Sequence, residues 1–290
     1  MKKFTLFGTL NTMFIALFSL LCTIPMLLVL MVSFTDEKSI QLNGYQLFPE
    51  KLSLGAYKLL LLGSTPLYQS YMISILITVV GTLLAVLITG AAGYTLSSRH
   101  VKYRNHLAMF FFVTMVFNTG IVPWYLISTG LGLRNTIWAL IVPSMIFNPF
   151  NLFLVRNYMK QIPDTLTEAA RIDGANDFYI ALRIFFPLSL PVLATITLFY
   201  GIGYWNNWFN AIMLVDNKDL FPLQFLLFKL NSEISMIQSM QRTMSEVATT
   251  LPAESVKMAT AILTIGPIVF FYPFLQKYFI KGLLIGSVKE

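Results

Sequence analysis

The chain has 290 residues, 56% of them hydrophobic and only 11% charged, with a formal net charge of +7 and a mean hydropathy of +0.70. A water-soluble domain carries about 25% charged residues, so this composition excludes a soluble globule and calls for lipid as part of the solvent. The single cysteine, Cys22, excludes an internal disulfide and a Cys-based metal site.

The few charges are segregated. Lys3 to Asp36, Lys58 to Arg99, His106 to Arg134, Arg134 to Arg156, Arg183 to Asp216 and Lys257 to Lys277 each bracket a stretch without Asp, Glu, Lys, Arg or His. A spanning helix needs about 20 apolar residues, and a charge at the bilayer centre costs roughly 2.5–3.5 kcal/mol even on lenient insertion scales. The pattern predicts an all-α polytopic membrane protein, residues 1–290 forming one transmembrane domain. Its six spans fall at about 12–34, 69–96, 107–128, 137–158, 188–213 and 258–276.

The first apolar run is too long for a signal peptide and no small-residue cleavage site follows it, so it is expected to stay as a span. Between it and the second lies an outer loop, 35–68, in which Leu54 to Leu62 can form a surface helix before Gly63-Ser64-Thr65-Pro66 interrupts it. Gly81, Gly90, Ala91, Ala92 and Gly93 in the second span allow close helix approach. His100 and His106, in the following basic loop, are read as solvated. Asn118, Asn148 and Asn151 fall within the third and fourth spans, where helix packing is the plainer role and substrate contact the sharper one. With both termini inside, the inner segments hold 12 of the 20 Lys and Arg residues, the asymmetry of the positive-inside rule. The basic balance is thus a matter of topology and implies no nucleic-acid partner.

The inner segment 159–187 is more charged than other stretches of its length. Pro163 and Asp164 suit a helix entrance, Thr165 with Glu168 matches a capping-box spacing, and Gly174 supplies a positive φ to end the helix. Asn176 or Asp177 can cap a second short helix with Phe178, Ile180, Ala181, Ile184 and Phe185 as its apolar face, broken by Pro187. Helices this short are unstable alone in water, so the pair must dock. Ala169 and Ala170 form a small ridge for a partner's cleft, flanked by Glu168 and Asp173. In the fifth span, Tyr204, Asn206, Asn207 and Trp208 offer aromatic faces and amides suited to sugar hydroxyls, or else an interfacial belt and packing amides. The outer loop 214–257 follows. The spans bury no ionisable group for ion coupling and the chain has no Gly-rich phosphate loop, so energy for uphill movement must come from another polypeptide.

Glu168-Ala169-Ala170, three residues, Gly174, nine residues, Ile184, then Phe186-Pro187 resembles the cytoplasmic EAA loop of ABC-importer permeases, with Phe186 where Leu is usual. Asp173-Gly174-Ala175, Leu131 to Thr136 with Trp138-Ala139-Leu140, and Gln276 to Phe279 with Lys281-Gly282-Leu283 are similar to the carbohydrate-uptake subfamily, the second permease of maltose-type importers. Tyr204 to Trp208 and Glu254 to Ala259 resemble its complex-polysaccharide and lipo-oligosaccharide branch, which includes alginate importers.

The resemblance implies the type I importer permease fold and location in the bacterial cytoplasmic membrane. It implies a homologous second permease, two ATPase subunits that bind ATP and Mg, and an extracytoplasmic solute-binding protein. Glu168, Ala169, Ala170, Asp173 and Gly174 would lie on the helix coupling to an ATPase. Gly286 to Glu290 would be a second ATPase contact and 214–257 a contact for the binding protein. This chain itself would catalyse nothing and hold no cofactor. Two other readings stay open: a secondary transporter or channel without ATPase partners, and a permease for a non-sugar solute.

Overall fold

The computed structural model describes residues 6–62, 67–117, 119–143, 145–243, 253–266 and 269. The expected interruption at Gly63 to Pro66, Asn118, the second half of the sixth span and the C-terminal tail lie outside them. The chain divides into two units, Met1–Leu67 with Leu227–Val269, and Tyr68–Leu226 with Phe270–Glu290.

The first unit opens with a helix over Leu6–Ser33. Its apolar side chains, Phe7, Met13, Phe14, Phe18 and Leu21 among them, are exposed, as fits a helix solvated by hydrocarbon. A short helix at Glu37–Asn43 and another at Gly55–Leu62 follow, the latter where the apolar run in the outer loop predicts it. Ala56 and Leu60 pack with Val256 and Ala259 of the helix 253–266. Glu37 is buried and caps that helix from 217 residues away. Its carboxylate accepts from the Glu254 N–H at 3.1 Å, the Ser255 N–H at 3.1 Å and the Ser255 hydroxyl at 2.8 Å. A carboxylate over the first N–H groups of a helix satisfies orphan donors and complements the dipole. The Tyr45 hydroxyl donates to Glu254 at 2.7 Å, and that bond, with some burial, pushes the phenol up to about 12, so Tyr45 remains a donor at physiological pH.

The second unit is organised around the Leu67–Ser97 helix, the other described helix long and apolar enough to cross a membrane unbroken. The small residues let neighbours in. A Cβ on Gly81 would lie 2.5 Å from the Tyr204 ring, one on Gly93 would lie 2.5 Å from Val155, and one on Gly90 would lie 3.0 Å from Phe186. The core joins Ile77, Ala85, Leu140, Val155, Ile180 and Ile196.

Three of the expected continuous spans are interrupted. The third is two helices, Arg104–Val116 and Ile121–Gly130, bent by 116°, with Gly120 at φ +80°. The fourth is a single turn, Trp138–Ile141, then irregular backbone, then Pro149–Met159. Pro143 and Pro149 have no N–H to extend a ladder, and the Asn148 carboxamide restarts the helix by accepting from Phe150 N and Asn151 N. The fifth runs over Leu190–Trp205, pauses at Asn206 to Trp208 and resumes over Phe209–Leu214. It joins the preceding helix at an 82° bend around buried Ser189. The break therefore falls two residues after Pro187, and a widened π turn over Ala181–Phe185 leads into that proline. Within 214–257, expected as a loop, a 21-residue helix covers Leu223–Thr243 because Leu223, Phe225, Leu226 and Leu227 find buried positions.

Gly81→Ala is expected to destabilise the purified protein by about 1–3 kcal/mol, the cost of overpacking a rigid ring contact, read as a lower Tm. Gly130→Ala meets nothing within 4 Å and should melt as the parent does. Equal melting of the two variants would refute this packing account.

Candidate functional site

Two constellations in the second unit carry the sequence-predicted residues. The first is the corner between the helices Asp164–Ile172 and Asp177–Ile180. The helix ends in a Schellman arrangement: Gly174 at φ +81°, its N–H donating to the Arg171 carbonyl at 3.0 Å and the Ala175 N–H to the Ala170 carbonyl at 2.9 Å. Asn176 caps the second helix, its carboxamide oxygen accepting from Tyr179 N at 2.8 Å. Arg171 bridges the corner to Asp177 at 2.8 Å, and Arg99 holds the helix entrance through Asp164 at 3.0 Å.

Three expectations need correction. The Thr165–Glu168 capping box does not form, because the helix begins at Asp164 and places Thr165 inside its first turn. Ala170 is buried against the unit's own core while Ala169 is exposed, so the small ridge is one residue wide. Phe178 is 73% exposed; the apolar face of the second helix rests on Ile180 and Phe185. The outward face thus carries Leu166, Glu168, Ala169, Ile172 and Asp173. Ile172 is 86% exposed, and neither Glu168 nor Asp173 is paired with a cation among the described residues.

The second constellation surrounds the interrupted backbone. A helix break inside a bilayer strands carbonyls that no water can satisfy. Here side chains of the fifth span reach them. The Tyr204 hydroxyl donates to the Ile141 carbonyl at 2.9 Å, Asn207 to the Leu140 carbonyl at 2.9 Å and Asn210 to the Pro143 carbonyl at 3.0 Å. All three residues are buried. The Tyr200 hydroxyl accepts from Asn148 N at 3.0 Å and bonds Thr89 at 2.7 Å. Of the expected substrate-path residues, Tyr204 and Asn207 thus spend their polar atoms on backbone. The Asn206 oxygen is taken by Gln224 at 3.0 Å, and Trp208 is exposed beside Phe209.

Asn148 and Asn151 do come together. They line an open cavity of about 280 Å³ with Met145, Phe150, Phe199 and Tyr200. Asn151 is 5% exposed, yet its carboxamide has no hydrogen-bond partner among the described residues, so it presents an unspent donor and acceptor to that cavity. Phe199, Tyr200 and Asn210 escape a reading of the sequence. Their only signal is spacing: Tyr200 is four residues before Tyr204, and Asn210 three after Asn207. Among the described residues no group of three or more His, Cys, Asp or Glu could hold a metal ion.

The family model described as "Binding-protein-dependent transport system inner membrane component" matches residues 102–285. Protein LplC of Bacillus subtilis is 38% identical over 99% of this chain and 96% of its own length. The polygalacturonan/rhamnogalacturonan transport system permease protein YtcP of the same organism is 37% identical over 99% of each chain. Among solved structures, a chain of a bacterial ABC transporter involved in the import of the acidic polysaccharide alginate superposes with a TM-score of 0.81. It is 30% identical, over 94% of this chain and 96% of that one.

Asn207→Leu keeps the number and branching of the side-chain heavy atoms and removes the donor to the Leu140 carbonyl. An unsatisfied buried carbonyl costs about 1–3 kcal/mol, so Tm should fall, whereas exposed Asn206→Leu should change it little. An Asn207→Leu protein as stable as the parent would show that the break is satisfied otherwise.

Proposed function

The chain belongs to the binding-protein-dependent transport system inner membrane component family, and from that membership we propose that it forms half of a translocation path for an acidic oligo- or polysaccharide, driven through the corner at 164–187. It is a multi-pass permease of the bacterial inner membrane. The bond-breaking step, and the ATP and Mg it needs, belong to the ATPase subunits with which such permeases work. The family thereby answers the alternative of a transporter or channel acting without ATPase partners.

The observation that carries the coupling role is the corner itself. Its two helices are locked to each other by the Schellman turn, the Asn176 cap and the Arg171–Asp177 pair, so a push on one is transmitted to the other. Ala170 roots it in the unit's core, while Glu168, Ala169, Ile172 and Asp173 remain open for a partner. A small residue between two carboxylates suits a cleft with basic walls. Two ATPase subunits, a homologous second permease and an extracytoplasmic binding protein complete the assembly. Both termini face the cytoplasm, on the strength of the inner excess of Lys and Arg. The 35–68 and 214–257 segments then face outward, the latter toward the binding protein.

The substrate reading rests on two similarities and one cavity. One relative is named for polygalacturonan, a polymer of acidic sugars, and the alginate importer also handles an acidic polysaccharide. The cavity around Asn148 and Asn151 mixes amides and aromatic faces with no carboxylate in its lining, so nothing there repels an anionic chain. Tyr204 and Asn207 serve that cavity by bracing the backbone behind it, and Asn206 and Trp208 remain candidates for contact from outside it.

Glu168→Lys, on an exposed position, should leave assembly intact and lower uptake and transport-linked ATP hydrolysis by about tenfold or more, the loss of about 1.4 kcal/mol of coupling. Gly174→Pro, which cannot take a positive φ, should do the same. Variants that assemble and still import at the parental rate would end the coupling assignment. In the assembled importer, oligogalacturonate or oligoalginate should stimulate ATP hydrolysis where neutral maltooligosaccharides do not. Asn151→Leu should raise the half-saturating sugar concentration about fivefold, the worth of one neutral hydrogen bond, without changing hydrolysis in the absence of sugar. Stimulation by the neutral sugars alone would overturn the acidic-saccharide reading.

A further inference from the structure

A second cavity in this unit, about 210 Å³, takes no part in the path or in the exposed face of the corner. Arg99, His100, Arg104 and Lys160 line it, and Asp164 is the one carboxylate in its lining. It opens where the Leu67–Ser97 helix ends, the Arg104–Val116 helix begins and the Pro149–Met159 helix ends. Asp164 is already committed to Arg99 at 3.0 Å. Arg104 and Lys160 pair with no carboxylate among the described residues. Arg156 adds a third positive charge behind them, its Nε donating to the Leu96 carbonyl at 3.3 Å. Loss of hydration, then Arg156 and Arg104 close by, pushes the Lys160 ammonium below the usual lysine range. Lys160 is exposed and Arg104 half-buried, so like charges share one solvent-open cavity, and an anion joining them relieves their repulsion.

The remaining lining says which anion fits. Ser98 offers a hydroxyl, and Tyr94, Met159 and Phe185 supply an apolar floor. Arg and Lys donors around a small volume match a tetrahedral oxyanion, and basic pockets between transmembrane helices on the cytoplasmic side suit anionic lipid headgroups. We propose that this cavity is a phosphate-binding site at the inner membrane surface, with Arg104 and Lys160 as its principal ligands, occupied by the headgroup of an anionic phospholipid or by inorganic phosphate. The apolar floor favours the lipid. The site rests on the inward orientation given under Proposed function. Because Asp164 is both in the cavity wall and the first residue of the coupling-type helix, occupancy would brace that helix at its root.

The test is binding by the assembled, detergent-purified importer, followed as the rise in Tm during titration with phosphatidylglycerol, phosphatidylcholine or inorganic phosphate. Phosphatidylglycerol should raise Tm where phosphatidylcholine does not. The double variant Arg104→Gln, Lys160→Gln should weaken that response about fivefold for each cation removed, and Arg104→Lys with Lys160→Arg should retain it. A matching rise with inorganic phosphate, lost in the same double variant, would assign the site to the free ion; a rise with the lipid alone assigns it to the headgroup. An undiminished response in the double variant, or no response to either anion, would overturn the proposal. Binding is read here without ATP hydrolysis, so a failure of the corner to couple would leave this result untouched. Modification of Lys160 by an impermeant reagent in intact cells would instead show that the orientation is inverted.

Discussion

The architecture depends on one constraint, that a bilayer offers no hydrogen bonds to a backbone that stops being helical. Pro143 and Pro149 make the fourth span stop. Its freed carbonyls at Leu140, Ile141 and Pro143 are then taken by Asn207, Tyr204 and Asn210, three side chains that straddle a pause in another helix. Each break thus supplies what the other lacks. The arrangement needs room, and Gly81 provides it: any larger residue would occupy the space of the Tyr204 ring. Broken backbone held in this way can border a cavity and still be fixed in position. The groups left unspent there, Asn151 above all, are therefore held against that cavity.

At the other end of the unit the same economy suits the mechanical role we propose. Helices of nine and four residues have no stability of their own in water, yet the corner at Gly174 must move as one piece if it is to pass on force. Rigidity comes from bonds within the corner, and anchorage comes from Ala170, Ile180 and Phe185 in the core. The exposed residues are then free to be chosen for the partner. Ile172 stands almost fully open to solvent, next to an Asp173 carboxylate that pairs with no cation among the described residues.

Features governed by local or strongly periodic physics were legible in the sequence. The charge-free stretches announced a membrane protein because burying charge is costly wherever it occurs. Gly174 and Asn176 were readable because a positive φ and an N-cap are decided within a few residues. The EAA-type spacing pointed to the family that the comparisons then showed. What escaped was decided at long range. Nothing near Asn207 says that it will reach a carbonyl 67 residues away, so it reads equally well as a sugar ligand. Glu37 capping a helix at Ser255 is hidden for the same reason. The Thr165–Glu168 box failed on a register of two positions, since the helix begins at Asp164 and its N-cap is Pro163.

The division of labour follows from where charge is tolerated. The middle of the unit carries amides, hydroxyls and aromatic rings, which can exchange hydrogen bonds but cannot store energy by titrating. Charge is confined to the ends, where it can be paired or solvated. At one end Arg134 meets Asp216 at 2.7 Å, and Asn135, at φ +57°, accepts from Asp216 N and Asn217 N. Around Asp164 positive charge exceeds its carboxylate partners among the described residues, as shown by Arg104 and Lys160. A chain built this way has a neutral middle and keeps its surplus cations beside the helix that leads into the Gly174 corner. Work done on such a protein has to enter as movement of backbone, which is the role we propose for the Gly174 corner.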